Sequence, residues 1–256
     1  DILEKYIIHF NEQRGPNIRL SVKINNGFAE SFLQTTSTYI ENFFKSFPCS
    51  NELTINKNNF IANFPTNSIF YGLHTASQNN LGPPLDRIVH GVQHNFSIII
   101  LKVFGQGIFD DELVNSFFIY AILKYFRTLE IISGNLFEVA DGADKHIREF
   151  TKPSFLKTLE NLFYESKVEL ADIADEMSAS SWFSEELRWL DEWQLYCEGF
   201  IHDMQAFLPN YSRLDFSLIF FDKLSEQLNL QDYQKQTLIF MLIQTIKYQK
   251  ASEHTV

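Results

Sequence analysis

The side chains that could transfer protons or bind an anionic or polar group lie far apart along the sequence. Residues 18–24 alternate strictly between apolar and polar, which predicts a strand with Arg19 on its polar face. His202 lies in a predicted helix, on the stripe that contains Glu198 and Gln205. A histidine in a cleft can act as a general acid or base, although an ordinary helix histidine fits the same pattern.

Other combinations of reactive residues are weaker. His90 and His94 are four residues apart on one face of a predicted helix, but no glutamate follows His90 and no third ligand is evident. Because a third ligand is missing, these two histidines fit a helix surface or cleft better than half of a metal site. The sequence has no P-loop, no glycine-rich dinucleotide motif and no nucleophile elbow. We therefore expect no metal and no cofactor.

Composition narrows the class of protein. With 45% hydrophobic and 21% charged residues the chain is globular, and its net charge of −11 argues against nucleic acid as a partner. Two distant cysteines cannot organise a disulfide framework, which fits a reducing compartment. No signal-peptide pattern and no apolar run near the roughly 20 residues of a membrane span is present. We expect a cytoplasmic protein with no membrane contact.

The elements that must position these residues change character along the chain. Strands are predicted at 6–10 and 18–24, then a helix at 28–47. Two further short strands are predicted at 52–56 and 59–64, followed by a long loop at 65–84.

The rest of the chain has the pattern of helices throughout. They are predicted at 85–104, 110–132, 135–150, 154–165, 166–178, 185–207, 214–229 and 231–250. The sequence therefore predicts one α+β domain over residues 1–256. A small N-terminal antiparallel sheet with one helix occupies the strand-rich residues 1–64, and a larger all-helical region follows at residues 85–251.

The opening of the chain resembles a known family. Tyr6-Ile7-Ile8-His9-Phe10, a short turn and Gly15-Pro16-Asn17-Ile18-Arg19-Leu20 resemble the start of the thiopeptide-type bacteriocin biosynthesis domain. The same domain is the C-terminal elimination domain of class I lantibiotic dehydratases. That family shows an aromatic strand, then Gly-Pro-His and an alternating Arg-Leu-Arg strand. Arg19 matches the first of these arginines, whereas Asn17 stands at the histidine and Ser21 at the second arginine.

Two later motifs of the family have similar counterparts here. Phe64-Pro65 and Tyr71-Gly72 resemble the middle Pro-Glu…Arg-Tyr-Gly-Gly motif, with Phe70 at the position of the arginine. Ile201-His202-Asp203-Met204, followed by Asn210 and Arg213, resembles the last motif, a helix with His-Met and a nearby Asn-Arg. The order of elements matches over nearly the whole chain.

The departures bear on which reaction the resemblance implies. Glutamate elimination needs cations that hold a carboxylate, and neither Ser21 nor Phe70 can replace a bidentate arginine. The stand-alone pyridine synthases of the family join two dehydroalanines in a formal [4+2] cycloaddition, with loss of water and leader peptide. That reaction mostly needs a cleft that brings two alkenes together, so an aromatic-rich chain fits this branch better.

The resemblance thus implies a pyridine-forming macrocyclase of thiopeptide maturation, a lyase or cyclase acting on a precursor peptide with its leader. His202 and Tyr71 would assist proton transfers, and the substrate would contact Arg19 and the other motif positions, Asn17, Ser21, Phe70 and Arg213. Other biosynthetic enzymes are a further class of partner, and the chain would be a monomer or homodimer. The alternatives are a glutamate-eliminating subunit of a split dehydratase and a non-catalytic partner that binds the precursor.

Overall fold

A computed structural model describes residues 3–11, 17–25, 27–48, 67–71, 82–105, 110–134, 136–176 and 187–253. The chain divides into two compact units. The first unit comprises Asp1–Leu81 with Gln227–Asn229, and the second comprises Gly82–Glu226 with Leu230–Val256. A two-stranded antiparallel sheet and one helix come first and seven helices follow in the described residues, which confirms the predicted α+β class. The strands predicted at 52–56 and 59–64 lie outside the described residues, as does most of the predicted 65–84 loop.

The sheet of the first unit pairs β1 (Leu3–Asn11) with β2 (Asn17–Ile24). Ile8 lies opposite Leu20, and His9 lies opposite Arg19. Because strand side chains alternate between faces, this register places Ile8 and Leu20 on one face, and His9 and Arg19 on the other face with Ile7 and Ser21. Ile8 is buried, and its carbonyl accepts a hydrogen bond of 2.9 Å from the Gln227 side chain.

Helix α1 (Ala29–Ser46) has the predicted helical spacing of aromatic residues. Glu30 in its first turn and Lys45 in its last turn both complement the helix dipole. None of its side chains is buried, so its aromatic side remains largely accessible. The rings of Phe43 and Phe47 contact each other with centroids 5.3 Å apart.

The second unit contains the remaining helices. They are α2 (Pro83–Phe104), α3 (Asp111–Ser133), α4 (Leu136–Phe150), α5 (Pro153–Glu176), α6 (Trp189–Phe207), α7 (Arg213–Leu228, whose last two residues belong to the first unit) and α8 (Asp232–Glu253). No helix among the described residues is both long enough and apolar enough to cross a membrane.

Local sequence signals explain where several of these helices begin and end. Asp110 caps α3 by accepting a 2.8 Å hydrogen bond from the Leu113 amide, and Gly134 ends α3 with a φ of 68°. The two helices predicted at 154–165 and 166–178 are one helix, α5. Residues 154–176 contain no glycine or proline, so no residue near Glu165 and Ser166 ends the helix there.

The core of the second unit is built around aromatic rings. Trp193 of α6 is fully buried and stacks on Phe96 of α2 with centroids 5.0 Å apart. Phe220 of α7 meets the Phe96 ring edge-on at 4.9 Å. Leu190, Phe200 and Ile201 of α6 are buried, whereas Leu195 of the same helix is 64% exposed.

An ion-pair cluster joins α3 to α8. Glu130 accepts hydrogen bonds from Arg127 and Lys250, each at 2.9 Å. Burial opposes ionisation of Glu130, but the bonds from Lys250 and Arg127 outweigh burial and hold the pKa of the carboxyl below its usual range. A carboxylate with a lowered folded-state pKa stabilises the fold above its unfolded pKa, and this stabilisation is lost as pH falls through the folded pKa.

Glu130→Gln should therefore lower the free energy of unfolding by about 1 kcal/mol at pH 7. The difference from the unaltered protein should shrink as the pH falls from about 5 towards 3, because the wild-type carboxyl becomes protonated. Urea denaturation at several pH values measures both effects. Glu169→Gln, at an exposed position of α5, is the control and should change little. A constant difference between Glu130→Gln and wild type across this pH range would contradict the assignment.

Candidate functional site

The residues predicted to form the site are divided between the two units. The first unit contains Asn17, Arg19, Ser21, Phe70 and Tyr71, and the second contains His202 and Arg213. Their positions within each unit are given by the structure, and their roles remain predictions.

The group on β2 lies on one face of the sheet. Asn17, Arg19 and Ser21 alternate along the strand, so all three project to the polar face. The Arg19 side chain is exposed and makes no hydrogen bond or ion pair with any described residue. Ser21 is half-buried and lies opposite Ile7. A guanidinium on a regular strand can bind a carboxylate or peptide carbonyls, whereas the serine hydroxyl adds a neutral hydrogen bond only.

The segment 67–71 is tied to α1 through Tyr71. The Tyr71 hydroxyl donates to Ser37 Oγ at 2.6 Å, and Ser37 Oγ donates to the Leu33 carbonyl at 2.6 Å. The phenolic proton is therefore engaged, which leaves the Tyr71 oxygen its role as a hydrogen-bond acceptor. In this arrangement Tyr71 can accept a hydrogen bond from a bound molecule. Phe70 and Tyr71 are both more than half exposed.

His202 lies on the exposed side of α6. Its neighbour Ile201 is fully buried, as are Trp193 and Met204, whereas His202 and Asp203 both face solvent. No described residue donates to or accepts from the His202 ring. The imidazole can exchange protons with a bound molecule, but no neighbour in the described residues orients it as a dyad would.

Arg213 is held at the first turn of α7. A reciprocal capping pair precedes it: the Ser212 amide donates to Asp215 Oδ2 at 2.7 Å, and the Asp215 amide donates to Ser212 Oγ at 3.1 Å. The Arg213 side chain is half-buried. This capping fixes the backbone conformation at Arg213, and with it the direction in which the Arg213 side chain leaves the helix.

The buried cysteine and the histidine pair considered from the sequence lie in the second unit. Cys197 is buried, and burial raises the pKa of its thiol well above the usual value, which disfavours the reactive thiolate. His90 and His94 are both half-buried on α2. Within the described ranges, no group of three or more His, Cys, Asp or Glu side chains is placed to hold a metal ion.

Lys124 of α3 was not anticipated from the sequence. Burial lowers the pKa of its ammonium group, while the charges of Asp191 and Glu198, both in α6, act in the opposite direction. A partly desolvated lysine can serve as a proton donor more readily than an exposed one. A single lysine inside an amphipathic helix carries no sequence signal that separates it from a solvated one.

The comparisons with known proteins supply a structural neighbour and no sequence relative. No family model matches the sequence, and no curated protein matches it significantly. Among solved structures, the chain is similar to the pyridine synthase TbtD from thiomuracin biosynthesis, with a TM-score of 0.67. The match covers 96% of this chain and 88% of that chain at 9% identity. The chain therefore shares the fold of that pyridine synthase.

Proposed function

We propose that this protein is a peptide-modifying enzyme of thiopeptide maturation that forms the central pyridine of a macrocycle. The observation that carries the proposal is the fold shared with TbtD over 96% of the chain. The opening Tyr6–Phe10 and Gly15–Leu20 motifs, which resemble the same family, support it independently of the fold.

The reaction joins two dehydroalanine residues of one peptide. The amide preceding one dehydroalanine tautomerises to its iminol, giving an azadiene that adds across the alkene of the other residue. Two carbon–carbon bonds form, because both ends of the azadiene are carbon atoms, and loss of water and then of the leader peptide as an amide makes the ring aromatic. Holding both alkenes in contact is the largest contribution a protein can make to such a step.

The side chains available for this chemistry are few. The Tyr71 oxygen can accept a hydrogen bond from the group whose proton moves during tautomerisation, and His202 can assist the two eliminations. Arg19 can hold peptide carbonyls of the leader or core. Glutamate elimination is the weaker alternative, because the hydroxyl of Ser21 and the exposed ring of Phe70 cannot hold a glutamate carboxylate.

A mass-spectrometric assay tests the proposal. The full chain is incubated with a leader-bearing peptide that contains azoles and two dehydroalanines. We expect a product lighter by one water and the released leader, with absorbance from the new pyridine. Leader binding with no change in mass would overturn the enzymatic proposal in favour of a non-catalytic precursor-binding partner. Loss of glutamate from a glutamylated peptide, without cyclisation, would instead identify an elimination subunit.

The roles of Tyr71 and His202 give a separate prediction. Tyr71→Phe and His202→Ala should each lower kcat by about 100-fold, the lower end of what general acid–base groups contribute. Tyr233→Phe and Asp203→Asn alter other exposed polar side chains and should leave kcat unchanged. Full activity of both test variants would show that other groups move the protons.

A further inference from the structure

The polar face of the sheet carries three cations, Lys5, Arg19 and Lys23, and the imidazole of His9. The register places Lys5 directly opposite Lys23, and His9 directly opposite Arg19. All four side chains share one face because strand residues two apart point the same way. Lys5, Arg19 and Lys23 are exposed. We call these four residues the cationic face.

The sheet does little to neutralise this charge. Glu4 pairs with Lys23 at 2.5 Å, and the Lys23 side chain remains 71% exposed. Lys5 and Arg19 have no ion-pair partner among the described residues. Like charges directly opposite each other destabilise a two-stranded sheet, so this arrangement is not explained by the stability of the sheet.

The cationic face also contrasts with the rest of the chain. Residues 1–81 carry equal numbers of basic and acidic side chains, six of each, whereas residues 82–256 carry 15 basic and 26 acidic ones. An overall charge of −11 repels nucleic acid over long distances. A short acidic peptide can still be attracted to the cationic face. Screening at physiological salt limits electrostatic interactions to about 8 Å, so acidic side chains farther away repel the peptide little.

We infer that the cationic face binds an acidic segment of a peptide lying along the sheet. The Lys5–Lys23 pair and the His9–Arg19 pair are four residues apart on each strand. At about 3.3 Å per residue this separation is about 13 Å, which matches carboxylates at positions i and i+4 of an extended peptide. The inference rests on the proposed function only in naming the precursor as the source of that segment.

A binding experiment on the full chain tests the inference. The probe is a fluorescein-labelled peptide of three Glu-Ser-Ser-Ser repeats, and fluorescence anisotropy at low salt measures Kd. Arg19→Glu should raise Kd about fivefold or more. Lys45→Glu makes the same change in net charge at the last turn of α1 and should raise Kd by less than about twofold. Glu4→Gln should lower Kd, because it releases Lys23 from its partner.

Each result decides the matter. Equal weakening by Arg19→Glu and Lys45→Glu would mean nonspecific attraction, and unchanged affinity in Glu4→Gln would remove Lys23 from the site. Tighter binding of an oligothymidylate of equal charge would assign the face to nucleic acid instead. Circular dichroism establishes that each variant is folded. The probe contains no dehydroalanine, so its binding is measured independently of catalysis. Specific probe binding without turnover of the precursor would refute the proposed function alone. Turnover of the precursor without probe binding would refute this inference alone.

Discussion

Replacing Trp193 with alanine should lower the free energy of unfolding by about 3–5 kcal/mol. The indole is fully buried and stacks on Phe96, so truncation opens a cavity that surrounding rings cannot fill without leaving their rotamers. Its Nε1 also donates to the Ala121 carbonyl at 2.8 Å. The variant leaves that buried carbonyl without this donor, which adds to the cost.

Urea denaturation followed by circular dichroism measures this effect. Leu195→Ala on the same helix is the matched control, because Leu195 is 64% exposed and its truncation should cost less than about 0.5 kcal/mol. Trp193→Phe keeps a ring in the site and should cost about half as much as alanine. Equal stability of the Trp193→Ala and Leu195→Ala variants would show that Trp193 does not organise the core.

Much of the fold could be predicted from short-range signals. The Asp110 cap and the left-handed Gly134 lie within one turn of the residues they affect, so the ends of α3 are readable from local sequence. The strict alternation of residues 18–24 likewise predicted the faces of β2. These features need no knowledge of distant residues.

Features that depend on distant packing could not be predicted in the same way. The alternation on β2 assigned Ile18 and Leu20 to an apolar face, but it could not show that they remain 68% and 49% exposed. Similarly, Leu195 fits a helical core pattern although it is largely exposed. Periodicity tells which side chains share a face, and only the tertiary structure tells whether that face is buried.

In the candidate site, too, local sequence predicts some features and distant packing determines others. Motif positions predict its residues, but the sequence could not reveal that Tyr71 donates to Ser37, 34 residues away. Nor could it reveal that burial lowers the pKa of Lys124. Both depend on contacts between separate elements, which leave no pattern in a single sequence.

Asp144→Asn should lower the free energy of unfolding by about 2–3 kcal/mol. The Asp144 carboxylate is buried in α4 and accepts hydrogen bonds from Arg148 at 2.9 Å and from Gln244 and Lys247 of α8 at 2.7 Å each. An asparagine keeps the shape of the side chain but replaces one accepting oxygen with an NH2 group. That group is itself a hydrogen-bond donor and faces the donors that the oxygen used to accept from. Arg148 keeps Glu160 as a partner and Lys247 keeps Asp141, so the loss stays below that of a fully stranded charge.

The same charge change at an exposed position separates this effect from net charge. Glu149→Gln, on the exposed side of α4, should alter the free energy of unfolding by less than about 0.5 kcal/mol. Salt distinguishes the two sites further, since about 0.5 M NaCl screens exposed pairs but leaves a buried carboxylate with its partners. If Asp144→Asn and Glu149→Gln unfold at the same urea concentration, the Asp144 carboxylate does not stabilise the pairing of α4 with α8, because a buried carboxylate that did so could not be lost without cost.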